Sequence, residues 1–399
     1  MLLILLKNNF TMIKIISVVL LIFAISACTS VKVVNVNEAE KYYDGGIIYS
    51  LPETVLQIDV ELKKTTYIRG PFFEYAEKYL NINNVIKKNH TEWEIINVDI
   101  NSIAEPDYNN YFVLKSNNKT IMNGLTLNEK GVIESINLVS KSPKSVESDN
   151  LIIDIAKPEI EAQFTDLSIK RNINELQDTV YKKVKQDTSF VRVPIIRKQL
   201  EKKSINEKAE EAANFIIKLR KRRFKVLTAQ TETQISGTGS VQSMIAELDK
   251  LEEEYLSLFI GKKYEETIIK NFTYTPNKSK DLNVSILFNL SKENGIVSKE
   301  DQSSQQVIVK VINDGKTKVI DSYLAKKEEE KTKEIKGLVY RIPDLASVQV
   351  LLGEDVIARK KLLVAQFGTL TTLPETILKN KNVQIRFNPL FGNIEQIFQ

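Results

Sequence analysis

The apolar positions change period along the chain, and the changes divide it into three stretches. Between residues 44 and 140 the repeat is two. Leu56, Ile58, Val60 and Leu62 are separated by Gln57, Asp59 and Glu61, the pattern of a half-buried strand. Ile96, Val98 and Ile100, then 111–114, 121–127 and 132–138, predict further strands, with turns at Asn117-Asn118 and at Asn128-Glu129-Lys130-Gly131. Gly70-Pro71 stops the first strand and starts a short helix, since proline suits a first helical turn. Phe72, Tyr75, Ala76 and Tyr79 share one face of it. The stretch reads as an antiparallel sheet carrying one helix.

At Ser204 the period becomes helical. Ser204 and Glu207 have capping-box spacing, and Ala209, Ala212, Ala213, Ile216 and Leu219 trace one stripe. A second helix begins near Ser240, which would be its N-cap, with Val241, Met244, Ile245, Leu248, Leu251, Tyr255, Leu258 and Phe259 on its apolar side. Gly261 ends it, because a left-handed residue costs least as glycine. The two helices are expected to form an antiparallel hairpin. From 262 to 399 alternation returns at Val284, Ile286, Phe288 and Leu290; at Val307, Val309 and Val311; at Val348, Val350 and Leu352; and from Val356 to Val364. The charged run 326–336 interrupts it as a loop or short helix. Short strands at regular spacing predict a β-sandwich-like C-terminal domain. The whole is α+β. Residues 141–203 have no firm period and are expected as a linker.

One segment recurs. Gly46 to Leu56 and Gly368 to Leu378 share six identical positions, including Leu-Pro-Glu-Thr at 51–54 and 373–376. The plainer expectation is two strand-entry turns of similar chemistry; the sharper one is two equivalent edge strands of one body. A sorting signal does not fit, because no glycine follows either Leu-Pro-Glu-Thr.

The first 27 residues follow none of these periods. A basic Lys14, an apolar run from Ile15 to Ile25 and the small residues Ser26-Ala27 before Cys28 describe a secretory signal. Ile25-Ser26-Ala27-Cys28 resembles the lipobox of bacterial lipoproteins, whose cysteine carries the lipid. The run is short of the roughly 20 apolar residues that span a bilayer. Residues 1–27 are therefore expected to be signal peptide, with the biological start at Met12, and 28–43 a tether. The sequence following Cys28 lacks an acidic cluster, which favours an outer-membrane anchor facing the periplasm.

Composition removes most chemistry. The chain has one histidine, His90, and one cysteine. No His/Cys zinc set can form. A lipidated Cys28 also leaves no thiol for disulfides or nucleophilic attack. Asp99, Glu105 and Asp107 lack the spacing of a calcium loop. No Gly-x-Ser-x-Gly elbow accompanies His90, which is expected in an exposed loop. Ser236-Gly-Thr-Gly-Ser240 lacks the ending of a phosphate loop. No catalytic set, metal site or cofactor is expected. A net charge of +5 gives no electrostatic reason for nucleic acid. The basic residues Lys218, Lys221, Arg222 and Lys225 fall on a solvated helix face, while Arg220 and Arg223 face Glu247 or Asp249 of the next helix. Asp178-Thr179-Val180 resembles the acceptor for O-glycosylation in Bacteroidota, with Thr179 as the modified residue.

The segments Gly46-Ile-Ile-Tyr-Ser-Leu-Pro52, Leu248 to Gly261 and Val364-Ala-Gln-Phe-Gly368 resemble an uncharacterised family of Bacteroidota envelope lipoproteins, a domain-of-unknown-function family. The resemblance implies a location and brings no catalytic residues. The expected role is a non-enzymatic module that holds a protein or glycan partner. The rival is a polysaccharide hydrolase using a carboxylate pair, although Trp93 is the lone tryptophan.

Overall fold

The computed structural model describes residues 31–36, 46–116, 124–138, 164, 173–186, 189–228, 230, 238–280, 282–298, 301, 304–328 and 335–398. The chain is mixed and mostly β, with antiparallel sheets and few helices. In chain order the strands are β1 (Val31–Asn35), β2 (Ile47–Ile68), β3 (His90–Ser116), β4 (Leu125–Leu127), β5 (Ile133–Ile136), β6 (Ile173–Gln186) and β7 (Ser189–Lys202). There follow β8 (Lys262–Tyr274), β9 (Leu282–Ser291), β10 (Gly295–Val297), β11 (Gln305–Asn313), β12 (Ile335–Lys336), β13 (Leu338–Leu352), β14 (Asp355–Leu373), β15 (Gln384–Phe387) and β16 (Ile394–Phe398). The helices are α1 (Ala76–Leu80), α2 (Ile205–Leu227), α3 (Thr238–Ile260), α4 (Lys318–Glu328) and α5 (Glu375–Leu378).

Sheet membership ignores the boundaries that the periods suggested. One sheet has the order β12-β1-β3-β2-β8, a second β10-β9-β11-β13-β14, a third β16-β15-β5-β4, and β6-β7 stand as a two-stranded ribbon. Val31–Asn35 lies in the expected tether, yet it pairs along β3, where Val33 has an apolar site to fill. Val33 is fully buried there. The C-terminal stretch is not self-contained either. β8 extends the N-terminal sheet along β2, and β15 joins β5. The expected linker 141–203 contains the ribbon.

Strand β2 links the cores. Its 22 residues, at about 3.3 Å each, reach across two apolar clusters. Tyr49 and Leu51 pack with Phe112, Leu338, Leu373 and Phe387, while Leu56, Ile58, Val60 and Leu62 pack with Val307, Val309, Val311, Val348 and Val350 of the second sheet. The buried parity changes from odd to even between Leu51 and Leu56. The cause is a bulge: Ser50 faces Tyr111 but Pro52 faces Pro106, so Asp107–Asn110 leave the ladder. Two facing prolines offer no N–H at this point, and nothing is lost by breaking the pairing there. The second sheet has a matching excursion, Ala365–Gly368, opposite Pro343. At Gly368 a Cβ would stand 1.9 Å from the Ile342 carbonyl oxygen, so the bulge closes only on glycine.

Bulges also explain where the alternation misleads. A register shift between Glu61 and Leu62 of β2 turns Ile96 outward, 47% exposed, while Ile95 and Val98 face the core. Another shift at Val307/Ile308 leaves Val284 and Ile286 outside while Phe288 and Leu290 are buried. Each extra residue rotates the strand by one face. The two copies of Leu-Pro-Glu-Thr differ as well. The first runs on as interior strand β2, whereas Leu373 ends edge strand β14 and Pro374 starts α5. They are not equivalent edge strands, although Leu51 and Leu373 meet in one core.

The helical hairpin follows its stripe. Ser204 and Glu207 form the full capping box, and all five residues from Ala209 to Leu219 on the stripe are buried. Gly261 has φ +91° and its N–H reaches the Ser257 carbonyl. Ser240 lies inside α3, which starts at Thr238, so it is not the cap. Between the helices Arg220 meets Glu252 at 2.7 Å, and Arg223 meets Asp249 at 2.5 Å and Glu252 at 3.1 Å. Glu252, rather than Glu247, shares the pairing with Asp249, because it is the acid that the two arginines flank. Among the described residues no helix is long and apolar enough to cross a membrane.

Candidate functional site

Three places on the molecule carry enough chemistry to compare. The first is the seam between the sheets. Arg341 of β13 is fully buried and donates from Nη2 to Asp107 Oδ2 at 2.7 Å and from Nη1 to the Pro52 carbonyl at 2.6 Å. Asp107 also accepts from the Asn109 backbone N–H at 3.0 Å and from Asn110 Nδ2 at 2.7 Å. Nearby, Gln366 plays the part of a missing strand neighbour. Its Oε1 accepts from Thr54 N at 2.8 Å and its Nε2 donates to the Thr54 and Pro276 carbonyls. Tyr49 does the same for Val339, with its hydroxyl accepting from the N–H and donating to the carbonyl, and burial pushes that hydroxyl's pKa up. The Asn109 N–H that holds Asp107 lies in the β3 excursion, while Tyr49 and Gln366 bind backbone beside the seam. Asp107 points at Arg341, not at solvent. Through this pair the cluster fastens two sheets.

The second place is a shallow groove of about 620 Å³ between the ends of β2 and α3, lined by Tyr67, Ile86, Lys87, Lys88, His90 and Lys263 among others. His90 is exposed, as expected, but it opens strand β3 and its ring stacks on Tyr67 at 4.5 Å and 8°. Its Nδ1 lies 3.0 Å from the Lys88 carbonyl oxygen. Among the described residues neither a carboxylate nor a hydroxyl nucleophile is bonded to the imidazole. Trp93 is no exposed sugar platform: it packs on the second core and against Gly295, where a Cβ would approach the indole to 2.7 Å.

The third place is the ribbon. β6 and β7 pair over their full length, from Ile173 opposite Lys202 to Gln186 opposite Ser189. Among the described residues no third strand joins either edge, and neither strand contributes to an apolar cluster. Leu200 is 66% exposed, Ile196 63% and Tyr181 62%. On the other face are Leu176, Val180, Val184, Val191, Val193 and Ile195, of which Val180 is half-buried and the rest exposed. An isolated two-stranded hairpin is marginal in water, and apolar patches left open mark interaction surfaces. Asn174 donates to Glu207 at 3.0 Å, so the ribbon's base is tied to the capping box of α2.

The expected site residues fall as follows. Cys28 lies outside the described residues, as do Asn117-Asn118 and Ser236-Gly237. Thr179 is exposed on β6 opposite Ile196. Lys218, Lys221, Arg222 and Lys225 are all exposed on α2. Asp99 is held by Asn101 at 2.9 Å and Lys360 at 3.7 Å, away from buried Asp107. The ribbon's apolar residues were not among the expected site residues. Their signal was the β-branched content of 191–196, masked by charges on both faces.

The geometry therefore defines a β-rich body with a fastened interior and an exposed apolar ribbon. The chain belongs to the family described as Domain of unknown function (DUF4831), whose model matches residues 45–166 and 165–395. No curated protein and no solved structure matches it.

Proposed function

We propose that this protein is a lipid-anchored cell-envelope module that holds a partner protein and carries out no chemistry of its own. In this reading Cys28 carries the lipid, the anchor sits in the outer membrane and the body faces the periplasm. The two facing sheets act as a sandwich-like scaffold, and the β6–β7 ribbon is the contact surface. The ribbon carries the reading: large apolar side chains stand on both faces of a two-stranded sheet that no described element covers. A hydrolytic carboxylate pair has less support, since Asp107 is spent on Arg341.

Two measurements test it. Cys28→Ser should move the protein from the membrane fraction to the soluble one; retention on membranes at high salt refutes the anchor. On native gels of solubilised membranes the full chain should run in an assembly well above its own 45.5 kDa. The double variant I196E/L200E should collapse that assembly. A wild-type chain running alone refutes the binding reading.

A further inference from the structure

We propose that the ribbon's partner is a second copy of this chain, with β6 pairing antiparallel to its own symmetry mate about a two-fold axis at Val180. This rests on the binding reading above and names the partner. The two edges of the ribbon are chemically unlike. β7 carries Pro194, which has no N–H to donate, and Arg192, Arg197, Lys198 and Lys202 against the single acid Glu201. Prolines and like charges are how edge strands resist pairing. β6 has no proline, and its charges are sorted, with Glu175 and Asp178 in the first half and Lys182, Lys183 and Lys185 in the second.

Antiparallel self-pairing turns that sorting into complementarity. With Val180 opposite its mate, Asp178 lies opposite Lys182, Leu176 opposite Val184, Gln177 opposite Lys183 and Thr179 opposite Tyr181, each pair occurring twice. Moving the axis one residue, to Thr179 or Tyr181, sets Asp178 and Lys182 opposite apolar residues and loses their attraction, and moving it two places Asp178 or Lys182 against its own copy. Within the ribbon Asp178 is already opposite Arg197, and the second copy's Lys182 would flank it from the other side. The row Ile195, Val180, Val180, Ile195 would be apolar across all four strands, flanked on the same face by the Asp178–Lys182 pairs. Strand addition at a free edge also supplies ladder hydrogen bonds that β6 lacks on that side.

The test uses two differently tagged full-length copies, co-expressed and solubilised from membranes. Wild-type copies should co-purify. D178K with itself, or K182E with itself, brings like charges together at both symmetric positions. Recovery should fall roughly tenfold, two pairs each changing from attraction to repulsion. D178K with K182E restores opposite charges at both positions and should regain recovery, which a misfolded variant could not do. K182E faces Val193 inside its own ribbon, so it leaves the hairpin's own charge pairing untouched. Independently, V180C should oxidise to a dimer of twice the chain mass, while V193C on β7 should not. Wild-type copies that do not co-purify, a mixed pair no better than either variant alone, or an uncrosslinked V180C would overturn self-pairing. If the native-gel assembly persists with one copy of the chain in it, self-pairing fails and the binding reading stands. If no assembly forms, both fall.

Discussion

The seam between the sheets makes a quantitative and asymmetric prediction. Breaking a buried ion pair by removing one partner costs about 3–5 kcal/mol, because the other charge is left without compensation. The two ends of the Arg341–Asp107 pair are not equally provided for. Without the guanidinium, Asp107 keeps donations from the Asn109 N–H at 3.0 Å and Asn110 Nδ2 at 2.7 Å. Without the carboxylate, Arg341 keeps only the Pro52 carbonyl at 2.6 Å, and its Nε already has no partner. Arg341→Met should therefore cost near the lower figure, about 3 kcal/mol, and Asp107→Asn near the upper, about 5 kcal/mol. The double variant removes both charges and should be less destabilised than Asp107→Asn alone. Urea unfolding followed by circular dichroism would show the order as shifts in midpoint at constant slope. A smaller cost for Asp107→Asn than for Arg341→Met, or strictly additive costs, would mean that the pair is not what fastens the seam.

Two further carboxylates give opposite pH signatures. Burial, then the charges of Asp107 and Glu105, push the pKa of Glu53 above the usual range, with Arg341 offsetting part of the rise. The folded state therefore holds that proton more tightly than the unfolded one, and stability falls as pH rises through the window. Glu53→Gln should raise the melting temperature at pH 7 and give no gain below a pH of about 4; an equal gain at both contradicts the assignment. At Asp344 burial pushes the pKa up, but donations from the Thr317 N–H and hydroxyl and from the Leu345 and Lys316 N–H groups outweigh it and hold it low. Its contribution is present above the ordinary carboxylate pKa and is lost as pH falls through the lowered one. Asp344→Asn should cost about 1–3 kcal/mol at neutral pH, with a deficit that shrinks in acid. A deficit unchanged with pH would show that charge plays no part there.

Where one face meets one core, the residues could be read directly. Val307, Val309 and Val311 are buried as their alternation requires, and the stripe of α2 is buried at every position from Ala209 to Leu219. The capping box was readable because it is local, its two members lying three residues apart. Bulges were not readable, since a bulge is a relation between two strands. Ile96, Val284 and Ile286 continue their patterns in sequence yet face out, because an extra residue beside them shifted the phase. The seam was hidden for the same reason: Arg341 and Asp107 lie 234 positions apart. The ribbon escaped for another. With no buried face it has no reason to separate polar from apolar positions, so its period stays faint.

That faintness bears on what the ribbon is for. Of the other sheet-edge strands, β10, β12 and β4 have three, two and three residues, while β8 and β14 are longer, at 13 and 19. Short edges limit uncontrolled pairing. In the ribbon, among the described residues, both 14-residue strands are edges. Only one of its edges is protected by proline and like charges, and the other carries charges sorted so that antiparallel self-pairing about Val180 is the register that matches them. An edge with no partner would gain from blunting on both sides. Blunting one side while leaving the other ordered is what selection for a single pairing geometry would produce, and that asymmetry, more than the exposure of any one side chain, is the reason to test the ribbon for self-pairing.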